Sequence, residues 1–166
     1  ADNLIAQKKA VPMIIVMPDA DSTFYINSYD GKEKYEDFFV KEFMPQIEKT
    51  WRIKSEKRFR GVAGLSMGGY GTMICALKYP DLFAAAAPLS AAFLGDDDLT
   101  TSPDNTYDRV FSPLYERGLK GKDRLTKAWY DNSIPKLIET KSADDLKKVK
   151  YWIDCGDDDF LIKGNC

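Results

Sequence analysis

Histidine is absent from this 166-residue chain. That removes the commonest general base and a principal zinc ligand together. Cysteine is scarce, with three residues and no Cys-x-x-Cys spacing. Neither a zinc site nor a disulfide framework is indicated, and the odd count leaves the compartment open. No apolar run approaches the roughly 18 residues of a membrane span. An excess of one charge is also missing: 24 basic and 26 acidic residues leave a net charge of −2. No basic stripe stands out, so nucleic acid is not an expected partner. No Gly-Lys-Ser/Thr or G-x-G-x-x-G follows a predicted strand, which disfavours a phosphate-binding loop.

What is present describes a globular chain. Hydrophobic residues make up 44% and aromatic residues 13%, enough for one domain, 1–166, with a core of its own. Ala1 to Ala6 reads as helix and not as a signal peptide. With no initiator Met the start reads as internal, and an earlier leader is compatible with it.

The most informative stretch is Gly61-Val62-Ala63-Gly64-Leu65-Ser66-Met67-Gly68-Gly69-Tyr70-Gly71. A short apolar run leads into Gly-x-Ser-x-Gly, and a helix-competent stretch through Tyr79 follows. By composition alone the five-residue pattern arises in roughly one chain in twenty of this length. Its context makes it specific, because strand, tight turn and helix in that order form a nucleophile elbow. Gly64 and Gly68 are expected where the flanking backbones leave no room for a Cβ. The Met67 N–H would point at a developing oxyanion from a helix N-terminus. The bland alternative is a glycine-rich turn of another doubly wound fold, with Ser66 as a helix cap.

The rest of the pattern is alternating strand and helix. Val11 to Asp19 is a continuous apolar run stopped by Pro-Asp, which predicts a buried parallel strand. Phe24 and Tyr25, in the polar loop that follows, either line a groove or pin the loop to the core. Residues 34–51 predict a helix in which Phe39, Phe43, Ile47 and Trp51 share one face, read as core; Pro45 should kink or restart it. Leu82 to Ser90 predicts a strand whose small side chains suit the neighbourhood of the nucleophile helix. Residues 91–148 are richer in Pro, Gly and short helical pieces, with Arg124 to Tyr130, Ile134 to Thr140 and Ala143 to Lys148 as the best of these. They predict a cap- or lid-like insert over the strand ends. Asp96-Asp97-Asp98 lacks the alternating spacing of a calcium loop and reads as a solvated turn. Val149 to Gly156 predicts another strand, ending in Asp157-Asp158-Asp159. Carboxyl ends of parallel strands are where chemistry sits. A carboxylate there, downstream of the serine, suits an acid that orients an imidazole; the alternative is an N-cap cluster.

Val16-Met17-Pro18-Asp19, Gly64 to Gly71, and Ile153-Asp154-Cys155-Gly156 with Asp159-Phe160-Leu161 resemble the esterase D-like α/β-hydrolases. That group includes feruloyl and acetylxylan esterases of carbohydrate esterase family 1, S-formylglutathione hydrolases and mycolyltransferases. The resemblance covers most of the chain and is weakest over 91–148. It implies an α/β fold, a mostly parallel sheet flanked by helices and incomplete at both ends. It implies Ser66 as nucleophile, Met67 as half of the oxyanion hole, and Asp159 as triad acid with Asp158 as fallback. The family's histidine and its second oxyanion donor match nothing here. Both losses fall at the chain ends while the interior keeps the pattern, which reads as the central portion of a serine esterase with little activity by itself. Such a portion, with open sheet edges, is expected to pair with another copy.

The implied substrates are small-molecule or polysaccharide esters, feruloyl or acetyl, with no cofactor and no metal. The implied location is secreted or periplasmic, or cytoplasmic for an S-formylglutathione hydrolase. A non-catalytic binding module of the same fold is the rival from another class.

Overall fold

The computed structural model describes residues 1–166. Three parallel strands form one sheet in the order β1 (Gly61–Leu65), β2 (Ala85–Leu89) and β3 (Lys150–Tyr151). Gly61 to Leu65 pairs residue for residue with Ala85 to Leu89. β3 contributes two residues, Lys150 and Tyr151, and the pairing resumes at a single bridge between Leu89 and Asp154. The expected strand over 149–156 is therefore real but short.

The helix Met67–Lys78 connects β1 to β2 and packs on both strands. It is buried almost throughout, from Gly69 to Leu77. Small side chains allow the close approach: Ala76 meets Ala86 of β2 and Val149 just before β3. Its other side is covered by the segment that follows β2. Leu99, Tyr107, Leu114, Tyr115, Trp129 and Ile134 pack with Tyr70, Met73, Ile74 and Leu77 in the main core. The region with the weakest periodicity thus supplies much of the buried apolar surface. Its helices include Ile134–Thr140 and Ala143–Leu146, with Lys127–Tyr130 preceded by a 3₁₀ turn.

Asp96-Asp97-Asp98 is not a solvated turn. It is the first turn of the helix Asp96–Thr100, where carboxylates oppose the helix dipole. Asp98 accepts the Gly95 N–H at 2.8 Å, and Asp96 accepts the Trp129 indole N–H at 2.8 Å.

Two further expectations fail. Residues 11–17 form neither strand nor helix and join no ladder, and Val11 and Met17 are 73% and 86% exposed. A continuous apolar run becomes a buried strand only when a neighbour supplies the ladder and both faces are covered; β1 remains an edge strand. The aromatic stripe of 34–51 is helical, yet Phe39, Phe43 and Ile47 are only half-buried and Trp51 is exposed. Phe39 and Phe43 stack on each other instead, with centroids 5.8 Å apart. Pro45 acts as expected on the backbone: a π-helical stretch, Phe38–Phe43, precedes it. The wider turn accommodates a residue that cannot donate.

Helix 35–50 is tied down by charge. Glu36 is buried, accepts Lys78 Nζ at 2.8 Å and accepts the Tyr79 hydroxyl at 2.6 Å. Lys78 also donates to Asn132 Oδ1 at 2.7 Å, and the carbonyl of Asn132 accepts the Tyr70 hydroxyl at 2.7 Å. Removing one partner leaves a buried charge uncompensated. Glu36→Ala is expected to cost roughly 3 kcal/mol of stability, read as a lower midpoint in urea unfolding.

Candidate active site

Ser66 joins β1 to the helix Met67–Lys78 with φ 56° and ψ −114°. A non-glycine residue there is strained, at a cost on the order of 1–3 kcal/mol, and must be held by its surroundings. Its N–H donates to the Leu89 carbonyl at 3.0 Å, and its carbonyl accepts the N–H groups of Tyr70 and Ala92 at 3.1 and 3.0 Å. The serine itself is exposed. Strand and helix meet so closely that a Cβ on Gly64 would collide with the Gly68 carbonyl and lie 2.8 Å from its Cα. Met67 is the first residue of the helix, so its N–H has no intrahelical acceptor.

Phe24 and Tyr25 pin their loop onto this helix. Both adopt positive φ, 52° and 62°. Phe24 meets Tyr70 edge-on at 5.7 Å. The Tyr25 ring fills the space a Gly71 side chain would need, its Cβ being 2.9 Å from a Cβ built at Gly71. Its hydroxyl lies 3.5 Å from a Cβ built at Gly68, two residues beyond Ser66.

Asp159 lies in the turn after Gly156, past the end of β3. The Leu161 N–H donates to its Oδ1 at 2.8 Å. That bond, and then the neighbouring Ser90 hydroxyl, hold its carboxyl below the usual carboxylate range. Protonation would remove the anion that these donors favour. The contribution of this turn is therefore complete above the unfolded value of about 3.9 and is lost as pH falls through the lower folded value. At neutral pH Asp159 is an anion. Asp158 has no such partner among the hydrogen bonds of this turn.

Ser66 and Asp159 stand on either side of the end of β2. Ser66 bonds to Leu89, and Asp159 comes five residues after Asp154, which bridges to Leu89 from the other side. Ser90 has φ 38°, and its N–H donates to the Asp154 carbonyl at 2.7 Å. In the sequence Ser90 reads as the last residue of the strand Leu82 to Ser90. Its only signal was a hydroxyl at the end of an alanine-rich run.

A cleft of about 410 Å³ opens between the loop carrying Asp19, Ser22 and Thr23, the Tyr35 ring and Leu114. Neither Ser66 nor Asp159 lines it. Cys75, behind the elbow, is buried, and burial pushes its thiol up to about 12; it is packing and not a nucleophile.

This strand–elbow–helix arrangement is that of an α/β-hydrolase, incomplete in this chain as the sequence predicts. The Esterase family profile matches residues 1–165, and the chain belongs to that family. It is 28% identical over 159 residues to an acetyl esterase of Caldicellulosiruptor saccharolyticus, covering 91% of this chain and 56% of that protein. Its structure is similar to a ferulic acid esterase, with TM-score 0.77, 32% identity, and coverage of 99% of this chain and 59% of the other. It is also similar to an S-formylglutathione hydrolase of Staphylococcus aureus, with TM-score 0.65, 29% identity and coverage of 90% and 54%. The chain thus spans little more than half the length of these relatives. No helix is long and apolar enough to cross a membrane.

Proposed function

We propose that this chain carries the nucleophile and the acid of a serine carboxylic-ester hydrolase acting on feruloyl or acetyl esters of plant cell-wall polysaccharide. One observation carries the reading: Ser66 is exposed and strained at a helix N-terminus, and a hydrogen-bonded carboxylate, Asp159, lies across β2 from it. Strands two apart are separated by about 10 Å, a gap that an imidazole bonded on both sides can bridge. The chain contains no histidine, so the base comes from outside these 166 residues. It takes the proton of Ser66 Oγ as the oxygen attacks the acyl carbon, and returns it to the leaving alcohol. The Met67 N–H faces the oxyanion, and Asp159 holds the imidazole and stabilises its charged form.

The similarity to an acetyl esterase and a ferulic acid esterase supports the substrate class. Residues 91–148 wall the acyl site in this reading, and the protein is secreted or periplasmic. The apolar surface open at Leu65, Trp152 and Phe160 supports association with a second copy.

In the full-length protein, 4-nitrophenyl acetate and methyl ferulate should both be hydrolysed. Asp159→Asn should lower kcat by roughly 10²- to 10⁴-fold, while Asp158→Asn stays near wild type. The reverse order would move the acid to Asp158. The similarity to an S-formylglutathione hydrolase favours a second reading, a cytoplasmic thioesterase. A preference for a glutathione thioester over aryl esters would select it. No turnover of any ester by the full-length protein would leave a non-catalytic binding module.

A further inference from the structure

Asn165, in the short helix Ile162–Asn165, makes three side-chain hydrogen bonds. Its Nδ2 donates to the Ala91 carbonyl at 2.8 Å and to the Leu161 carbonyl at 2.9 Å. Its Oδ1 accepts the Ala91 N–H at 3.2 Å. One amide side chain therefore satisfies both polar groups of a fully buried residue 74 positions away. An amide can both donate and accept in this way, whereas a carboxylate only accepts.

The two places it joins are the two halves of the candidate site. Ala91 sits between Ser90, whose N–H donates to the Asp154 carbonyl at 2.7 Å, and Ala92, whose N–H donates to the Ser66 carbonyl at 3.0 Å. Leu161 is the residue whose N–H donates to Asp159. The helix approaches so closely that a Cβ on Gly164 would collide with the Phe93 carbonyl.

We propose that Asn165 is a positioning residue for ester hydrolysis: its side chain locks the turn bearing Asp159 to the 89–92 run that holds Ser66. The proposal rests on the esterase reading above. Asn165 touches no reacting atom and acts through Ala91 and Leu161.

The test uses the full-length protein with 4-nitrophenyl acetate, turnover being normalised to the serine titrated by a fluorophosphonate. Asn165→Asp keeps the size and the acceptor but replaces Nδ2, which donates to both carbonyls, with one oxygen that can donate to neither. It should lower kcat per titrated site roughly 10- to 100-fold, with KM changed by no more than about twofold. Asn165→Ala should behave alike, and Lys163→Ala, on the same short helix, should match wild type. Where Asn165→Ala does not fold, Asn165→Ser carries the same measurement. Unchanged turnover per titrated site overturns the positioning role, whatever happens to the melting temperature. An effect confined to KM overturns it too. Activity surviving in Ser66→Ala would instead remove Ser66 as the nucleophile, and no ester turnover by the wild-type full-length protein would sink the esterase reading; loss in Ser66→Ala with normal Asn165 variants sinks this inference alone.

Discussion

Ser66→Ala is expected to lower kcat of the full-length protein on 4-nitrophenyl acetate by on the order of 10⁴-fold or more, about 5 kcal/mol of barrier. The expectation follows from the proposed chemistry. Without the hydroxyl no acyl-enzyme forms, and only binding and the oxyanion donors remain. Stability should move the other way or barely at all. Alanine at φ 56° is strained like serine, and the hydroxyl it removes makes no hydrogen bond within the fold; the bonds that hold the elbow are made by the backbone. A burst of 4-nitrophenolate in wild type that vanishes in the variant would identify the covalent step. A variant that keeps full activity would remove Ser66 from the mechanism.

Gly64→Ala should be the most damaging single-atom change in the fold. The added Cβ would meet the Gly68 carbonyl and Cα, which are backbone and cannot turn aside. Overpacking against movable side chains costs roughly 1–3 kcal/mol. Here the strand and the first helical turn must separate, so about 3 kcal/mol or more is expected, with the Met67 N–H displaced from the serine. Gly61→Ala is the control, since a Cβ there lies at an ordinary 3.8 Å from the Ala85 carbonyl. Urea unfolding of both variants, with esterase assays, should show a large loss at 64 and little at 61. Equal effects would mean that the close approach at the elbow does not constrain the fold.

Legibility varied with the range of the contacts involved. The elbow was readable because its cause is local: strand, glycine-flanked turn and helix follow one another without a break from Gly61 to Lys78, and their geometry follows from residue size. β2 was readable from its alanines once the elbow helix required a close neighbour. The turn carrying Asp159, the candidate acid, was expected after an apolar run, although that run forms only two residues of strand. The apolar run 11–17 and the aromatic stripe of 34–51 misled because periodicity reports a wish to be buried and not what does the burying. The acidic triplet 96–98 misled for a related reason. Its role as a helix start, with Trp129 on Asp96, depends on an indole 33 residues away.

The sequence by itself determined the order of strand, turn and helix, the residue at the elbow and the acidic turn downstream, because backbone sterics and short-range packing act between neighbours in the chain. Only the tertiary structure decided that residues 91–148 build much of the main core, that Ser90 bonds back to Asp154, and that Asn165 bridges to Ala91. Those outcomes depend on pairings tens of residues apart, and no local pattern of size or hydropathy encodes which distant backbone group a side chain will meet.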